Sequence, residues 1–134
     1  MATPYLLLWF NFLLGRMWLM KIIRSDETNS FSNSATCTGF EFPFGDSQIN
    51  IAVVTVNGRY PEKGYVTNEV CREIAYVLSG TGVVAKRDGG EQPLAKGDAV
   101  LLEPGEVFYW QGDQLEMLMP CSPAFYPEQH KEVA

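Results

Sequence analysis

Short apolar runs separated by turn residues make up the chain from Cys37 to Tyr126. The runs alternate apolar with polar positions or are rich in β-branched residues, and they end at turn signals such as Asn57-Gly58. This pattern predicts many short strands and hence an all-β sandwich or barrel. Beyond Met20 we find no helical period, except for a single turn near the C-terminus. The predicted strands cover residues 39–44, 49–56, 73–78, 83–86, 91–94, 99–102, 107–110 and 115–119.

The first 24 residues differ from the rest of the chain because they are much more apolar, with the runs YLLLWFNFLL and MWLMKII. These runs are too interrupted to predict a membrane-spanning helix, and neither a basic n-region nor a small-residue cleavage site indicates a secretory signal. We interpret residues 1–24 as an apolar extension that results from start-site choice, with Met20 as the ordinary start. A membrane anchor, a signal or a docking segment is the alternative. Residues 25–36 are rich in Ser, Asn and Asp and predict a loop.

Length, composition and charge narrow the classes of function. A chain of 134 residues, 46% of them hydrophobic, suits one domain with its own core. The net charge of -6 lacks the positive surface that nucleic acid requires, so nucleic acid is not an expected partner. Cys37, Cys71 and Cys121 are odd in number and far apart, which favours neither a disulfide framework nor a zinc site. We therefore expect a reducing, cytoplasmic setting.

Two motifs and three longer segments resemble the cupin family. The first motif runs from Glu73 to Gly80 (EIAYVLSG), and the second (KGDAVLLEPGE) spaces Gly97 and Gly105 as cupins do. The segments GRYPEKGYVTNEVCREIAYVLSGTG, EPGEVFYWQG and CSPAFYPEQHK are similar to a subgroup of small single-domain cupins. The resemblance covers residues 50–120 and implies a single jelly-roll barrel, a double-stranded β-helix, over residues 37–126. Residues 127–134 would then form a C-terminal tail.

The chain departs from the family at the positions of the metal-binding histidines. In metal-binding cupins a His-x-His precedes the motif glutamate, and these positions fall on Thr67 and Glu69 here, or on Val66 and Asn68. The third family histidine falls on Phe108, whose apolar ring cannot bind a metal. We therefore expect no metal or other cofactor, with an atypical divalent metal as the alternative.

Alternate side chains of segment 67–73 are the candidates for catalysis. In a continuous strand, Thr67, Glu69, Cys71 and Glu73 would share one side, and we predict that this side faces the barrel interior. Two neighbouring carboxyl groups raise the pKa of one of them, which suits Glu69 and Glu73 to acid/base catalysis. The alternative is that Glu69 forms an ion pair at the barrel rim and that Cys71 is a small buried residue.

His130 is the only histidine and completes the catalytic candidates. It would reach the site if the C-terminal tail folded over the barrel mouth; the alternative is a histidine on the surface. Aromatic rings could stack on a sugar or another planar ligand, or could pack in the core and in a dimer interface. The predicted ligand-binding residues are Tyr60, Thr67, Asn68, Cys71, Phe108, Trp110 and Tyr126.

Three hypotheses of function remain open from the sequence. The first is a barrel that binds a small polar metabolite, a sugar or an organic acid, without the usual three-histidine metal site. The second is an enzyme, either an isomerase or epimerase or an atypical metal enzyme, that uses Glu69 and Glu73 with Cys71 or His130. The third is a module that serves oligomerisation. A homodimer is expected in each case, because the resemblance to small cupins implies that two barrels pair. A membrane is not an expected partner unless residues 1–23 belong to the native protein.

Overall fold

The computed structural model describes residues 20–134, which form one curled, nine-stranded antiparallel sheet and two short 3-10 turns. Most of the apolar extension predicted over residues 1–24 lies outside the described residues. Within residues 20–134, no helix is long and apolar enough to cross a membrane. The strands are β1 (Asn29–Ser34), β2 (Cys37–Glu41), β3 (Asn50–Tyr60), β4 (Tyr65–Asn68), β5 (Arg72–Lys86), β6 (Gly90–Ala95), β7 (Ala99–Leu102), β8 (Val107–Ser122) and β9 (His130–Val133), and the 3-10 turns are Ser25–Glu27 and Pro127–Gln129.

Strands β8 and β5 organise the sheet because each pairs with three other strands. Strand β8 pairs with β3, β4 and β5, and β5 in turn pairs with β6 and β7. The long strands β3, β5 and β8 thus carry most of the pairing and curl around a common interior. The predicted all-β class is confirmed.

The core lies on the inner side of the curled sheet. Alternate residues of the long strands face inwards, as the period of two requires, and the innermost are Val56, Val77, Leu115 and Met117, all fully buried. Each such side chain contributes about 1.5–3 kcal/mol through removal from water. The same alternation on β2, β3, β5 and β8 decides which polar side chains reach the interior.

Strands β5 and β8 approach each other closely at Gly80. Its φ is +77°, a conformation that side chains rarely adopt, and the position lies within an irregularity of the β5–β8 register. A Cβ atom at this position would overlap the carbonyl oxygen of Gln114. Because a bulge with glycine bends a strand without ending it, the predicted strands 73–78 and 83–86 are one strand here.

Two predicted boundaries are wrong. The segment predicted as a loop, residues 25–36, contains β1, an edge strand whose Phe31 packs against the core. The predicted tail, residues 127–134, contains β9, which pairs with β4. Both strands carry mostly polar residues because edge strands present much of their surface to water, so hydrophobic patterning did not reveal them. The sheet therefore extends beyond the predicted range 37–126 at both ends.

Candidate functional site

A cavity of about 520 Å³ lies on the inner side of the curled sheet. This volume is within the range of small-molecule sites, about 300–1,000 Å³. Inward-facing residues of β2, β3, β5 and β8 line it, together with residues of β1 and of the segment that follows β8. Aromatic rings form much of the wall, among them Phe31, Phe108, Trp110 and Phe125. Phe108 and Trp110 pack edge to face, with ring centroids 5.8 Å apart.

Glu73 places a carboxyl group in this cavity. It precedes the buried residues Ala75 and Val77 at even spacing on β5, so strand geometry turns it inwards. Removal from water raises the pKa of Glu73 to about 7, although a hydrogen bond from Asn68 Nδ2 to Glu73 Oε1 (3.2 Å) acts in the opposite direction. A carboxyl group with this pKa is present in both protonation states near neutral pH and can either accept or donate a proton.

Tyr60 and His130 form a second proton-transfer group in the cavity wall. The distance between Tyr60 Oη and His130 Nε2 is 2.8 Å, and that between His130 Nδ1 and Asn68 Oδ1 is also 2.8 Å. Because Asn68 Oδ1 can only accept, His130 carries its proton on Nδ1, and Nε2 accepts from the Tyr60 hydroxyl. Burial lowers the pKa of His130 and raises that of Tyr60. At neutral pH the pair therefore consists of a neutral imidazole and a neutral phenol.

Asn68 connects the two proton-transfer groups. Its Nδ2 donates to Glu73, while its Oδ1 accepts from His130 and from Gln129 Nε2 (3.1 Å). Gln129 is buried, and its Oε1 accepts from the backbone N–H groups of Val70 and Cys71 (both 3.2 Å). The C-terminal segment is thus fixed to the bend between β4 and β5. This attachment, with the β4–β9 pairing, is what delivers His130 to the cavity.

Six of the predicted site residues line the cavity: Tyr60, Glu73, Phe108, Trp110, Tyr126 and His130. Thr67, Asn68 and Cys71 are buried but do not line it. Asn68 acts from behind the wall, through its hydrogen bonds. The Thr67 hydroxyl has no hydrogen-bond partner among the described residues, and Cys71 Sγ lies 3.9 Å from the carbonyl oxygen of Ala124.

The predicted inward orientation of Glu69 is wrong. Its side chain is 53% exposed, does not line the cavity and lies 4.0 Å from the Lys131 ammonium group. Strand β4 ends at Asn68 and β5 begins at Arg72, so the alternation of sides does not continue through the bend between them. Glu69 is therefore removed from the set of catalytic candidates.

Several cavity residues were not predicted from the sequence, among them Glu41, Asn33 and Asn50. Glu41 follows the buried Cys37 at even spacing on β2, so the alternation of sides along a strand could have predicted that Glu41 faces inwards. Asn33 lies in β1, which was predicted as a loop. Cys37 and Cys121 also line the cavity, but burial raises the pKa of Cys37 to about 11 and that of Cys121 further. Both are therefore neutral thiols rather than nucleophiles.

The donor set in the cavity does not fit the metal site of the family. Within residues 20–134, no three His, Cys, Asp or Glu side chains are grouped so that they could hold a metal ion. Both ring nitrogens of His130 already take part in hydrogen bonds. Phe108, at the position where the resemblance would place the third histidine, offers an apolar ring to the cavity. We derive no chemical step through a metal.

Comparison with known proteins identifies the family and the fold. The model of the family described as "Cupin domain" matches residues 53–119. Pac13, described as a unique nucleoside dehydratase and found in Streptomyces, superimposes with a TM-score of 0.73 at 20% identity over 85% of this chain and 91% of its own. Structures of a His→Gln variant and of two Tyr→Phe variants of Pac13 contain uridine.

Two further solved structures agree with this fold. The ectoine synthase of P. lautus has a TM-score of 0.68 at 14% identity and covers 86% of this chain and 91% of its own. An RmlC-like cupin of Shewanella frigidimarina has a TM-score of 0.62 at 18% identity and covers 78% and 92%. No curated protein sequence matches the chain. At these identities the likeness shows the fold alone, and it confirms the predicted jelly-roll barrel.

Proposed function

Because the chain belongs to the cupin family, we propose that its barrel binds a small polar metabolite of nucleoside or sugar size and transfers protons on it without a metal. The observation that carries this proposal is one hydrogen-bonded system: Glu73, His130 and Tyr60 line the cavity, and Asn68 joins Glu73 to His130 from behind its wall. Glu73 has a pKa near neutrality, and the neutral Tyr60–His130 pair can accept a proton at His130; the Asn68 amide holds the two together. Such an arrangement is suited to acid/base catalysis.

The shape and lining of the cavity support a ligand with a planar or polyhydroxylated ring. Its aromatic walls offer apolar faces for stacking, and Asn33, Asn50 and the carboxyl groups offer polar contacts. The likeness to Pac13 adds a nucleoside as a concrete candidate, since uridine is bound in structures of that protein. A nucleoside combines the planar ring and the hydroxyl groups that this lining would recognise.

The two proton-transfer groups have complementary roles. The neutral His130 offers its Nε2 lone pair to Tyr60, so Tyr60 can take a proton from the ligand while it passes its own to His130. Glu73, with a pKa of about 7, supplies the complementary proton transfer. Abstraction of one proton and delivery of another are the two steps shared by isomerisations and by eliminations of water. The reaction class we propose is therefore metal-independent proton transfer of this kind.

A binding panel tests the proposal. We expect uridine or a neutral monosaccharide to stabilise the protein, by about 2.7 kcal/mol at a ligand concentration of 100 Kd, as measured by thermal unfolding and calorimetry. Ala52→Phe should abolish binding because Ala52 lines the cavity and a ring there would fill it. Ala95→Phe, at an exposed position of β6 outside the cavity wall, is the matched control and should bind normally. Lack of binding by every member of the panel would contradict the proposal.

The outer face of the sheet supports a homodimer. One row of residues in register across β2, β3, β8, β5 and β7 is apolar throughout: Phe40, Val53, Leu118, Tyr76 and Ala99. Beside it Ile74 pairs with Leu101, and these two side chains are 44% and 50% exposed. Phe40 and Tyr76 in this row are also exposed, whereas Val53 is buried. Exposed apolar side chains on one face of a sheet are typical of a protein–protein interface, and a second copy of this chain is the partner we propose.

A double substitution on this outer face tests the dimer. We expect the wild type to have twice the chain mass of 15.0 kDa in light scattering and the Tyr76→Lys/Leu101→Lys variant to have the mass of one chain. Both side chains are exposed, so their loss should change the stability of the monomer by no more than about 0.5 kcal/mol. Gln92→Lys, on the exposed side of β6, is the control. A wild type of single-chain mass would disprove the dimer.

A further inference from the structure

The charged side chains that line the cavity are carboxylic acids. Glu73 reaches it from β5 and Glu41 from the end of β2, and among residues 20–134 no Lys or Arg lines it. His130, the remaining ionisable base of the wall, accepts from Tyr60 through Nε2 and is neutral at neutral pH. The cavity therefore offers hydrogen-bond donors to an anion, but the described residues provide no positive charge there.

Two cations that neighbour cavity residues are directed elsewhere. Lys21 lines a separate groove that has Asn50 in common with the cavity, and its ammonium group donates to the carbonyl oxygen of Phe44 (3.1 Å). Arg59 lies beside Tyr60 in the chain, but its guanidinium group stacks 4.0 Å from the centre of the Tyr109 ring and donates to the carbonyl oxygen of Pro61. Neither group is placed to pair with an anionic ligand in the cavity.

We infer that the cavity selects against anionic ligands, and that it takes a nucleoside or sugar that carries neither a phosphate nor a carboxylate, with Glu41 as the residue that sets this selection. An anion that enters would lose its hydration and would meet carboxylate groups rather than a counter-charge, and both effects oppose binding. Uncharged hydroxyl groups have no such penalty and can donate to Glu41 and Glu73. The inference rests on the proposed function and narrows its ligand from nucleosides and sugars in general to those without a charge.

This selection also constrains the reactions that precede the proposed one. If the ligand must lack a phosphate, a phosphorylated precursor has to lose that group by hydrolysis before it can bind. The chemistry of the cavity thus favours a position after dephosphorylation rather than before it.

Two matched ligand pairs test the inference: uridine with uridine 5′-monophosphate, and galactose with galacturonate. Calorimetry at a fixed ionic strength near 0.15 M keeps charge screening constant. We expect the wild type to bind an uncharged member at least about tenfold more tightly than its anionic partner, since one unpaired charge in a poorly solvated cavity easily costs that much. Glu41→Lys should reduce this ratio to about one or reverse it, whereas Glu62→Lys, at an exposed position outside the cavity wall, should leave it unchanged.

The outcomes separate this inference from the function on which it rests. Binding of an anionic member as tightly as its uncharged partner would overturn the inference but leave the proposed function standing. If no member of either pair binds, both fall together. A ratio in Glu41→Lys that equals the wild-type ratio would overturn the role of Glu41. Retained binding of the uncharged member by Glu41→Lys verifies that the variant is folded.

Discussion

Replacing Glu73 by glutamine is expected to reduce turnover about 10²–10⁴-fold while ligand binding changes little. Glutamine keeps the size of the side chain and can still accept the hydrogen bond from Asn68 Nδ2, but it cannot gain or lose a proton. Uptake of deuterium from solvent into the bound ligand, followed by NMR, measures the proton transfer directly. Tyr60→Phe should slow the same exchange, because it removes the hydroxyl group that connects the ligand to His130.

Glu73→Gln should also change the stability of the protein, and this effect can be measured without a ligand or an activity assay. The pKa of Glu73 rises from 4.5 to about 7 on folding, so the folded state holds this proton more tightly than the unfolded state does. The contribution of this proton to the free energy of unfolding is fully present below pH 4.5 and is lost as the pH rises through about 7. Above that pH the free energy of unfolding is lower by up to about 3 kcal/mol. Glu73→Gln should therefore be more stable than the wild type at pH 8, and this advantage should vanish at pH 4.

Urea unfolding of both proteins at pH 4, 6 and 8 measures this difference. The lowered pKa of His130 makes the stability of the protein depend on pH in the opposite direction. Its contribution to the free energy of unfolding is present above the ordinary pKa of histidine and is lost as the pH falls. Comparison of the two proteins cancels this contribution, since both contain His130. A variant that is less stable than the wild type at pH 8, or that retains full exchange activity, would show that Glu73 is not the desolvated acid/base group.

Strand composition explains how much of the fold the sequence could predict. The runs around Val54, Val77 and Met117 alternate because they form the inner side of the sheet, and their pattern identified the all-β class correctly. Gly80 and Gly112 allow two strands to approach closely, but in the sequence a glycine also indicates a turn. The long strands β5 and β8 were therefore each predicted as two short strands. The polar edge strands β1 and β9 gave no hydrophobic signal and were missed for that reason.

The site was predictable to the extent that strand alternation continued. Glu73, Phe108 and Trp110 lie within long strands, and each lines the cavity. Glu69 lies in a bend, where alternation has no meaning. Asn68 was predicted to touch the ligand but instead hydrogen-bonds three other side chains, those of Glu73, Gln129 and His130. This role depends on distances between segments, two of which are far apart in sequence. Sequence periodicity describes neighbours along a strand, not such contacts.

A second expected result concerns the junction on which the cavity wall depends. Gly80→Ala should destabilise the protein by about 3–5 kcal/mol, because the added methyl group meets the Gln114 carbonyl oxygen and the backbone has a positive φ. That loss is comparable with the whole stability of many small domains, about 5–15 kcal/mol. β8 would have to move away from β5, and these strands carry Trp110 and Glu73.

Gly90→Ala is the matched control for the Gly80 substitution. Gly90 also has a positive φ, +73°, but no atom lies within 4 Å of a Cβ built on it. Its substitution therefore reports the cost of the backbone conformation alone, about 1–2 kcal/mol. Urea unfolding and near-ultraviolet circular dichroism of both variants separate the two contributions. Equal stabilities would mean that β5 and β8 are not in close contact at Gly80, whereas a much larger loss for Gly80→Ala would attribute the difference to steric overlap across this junction.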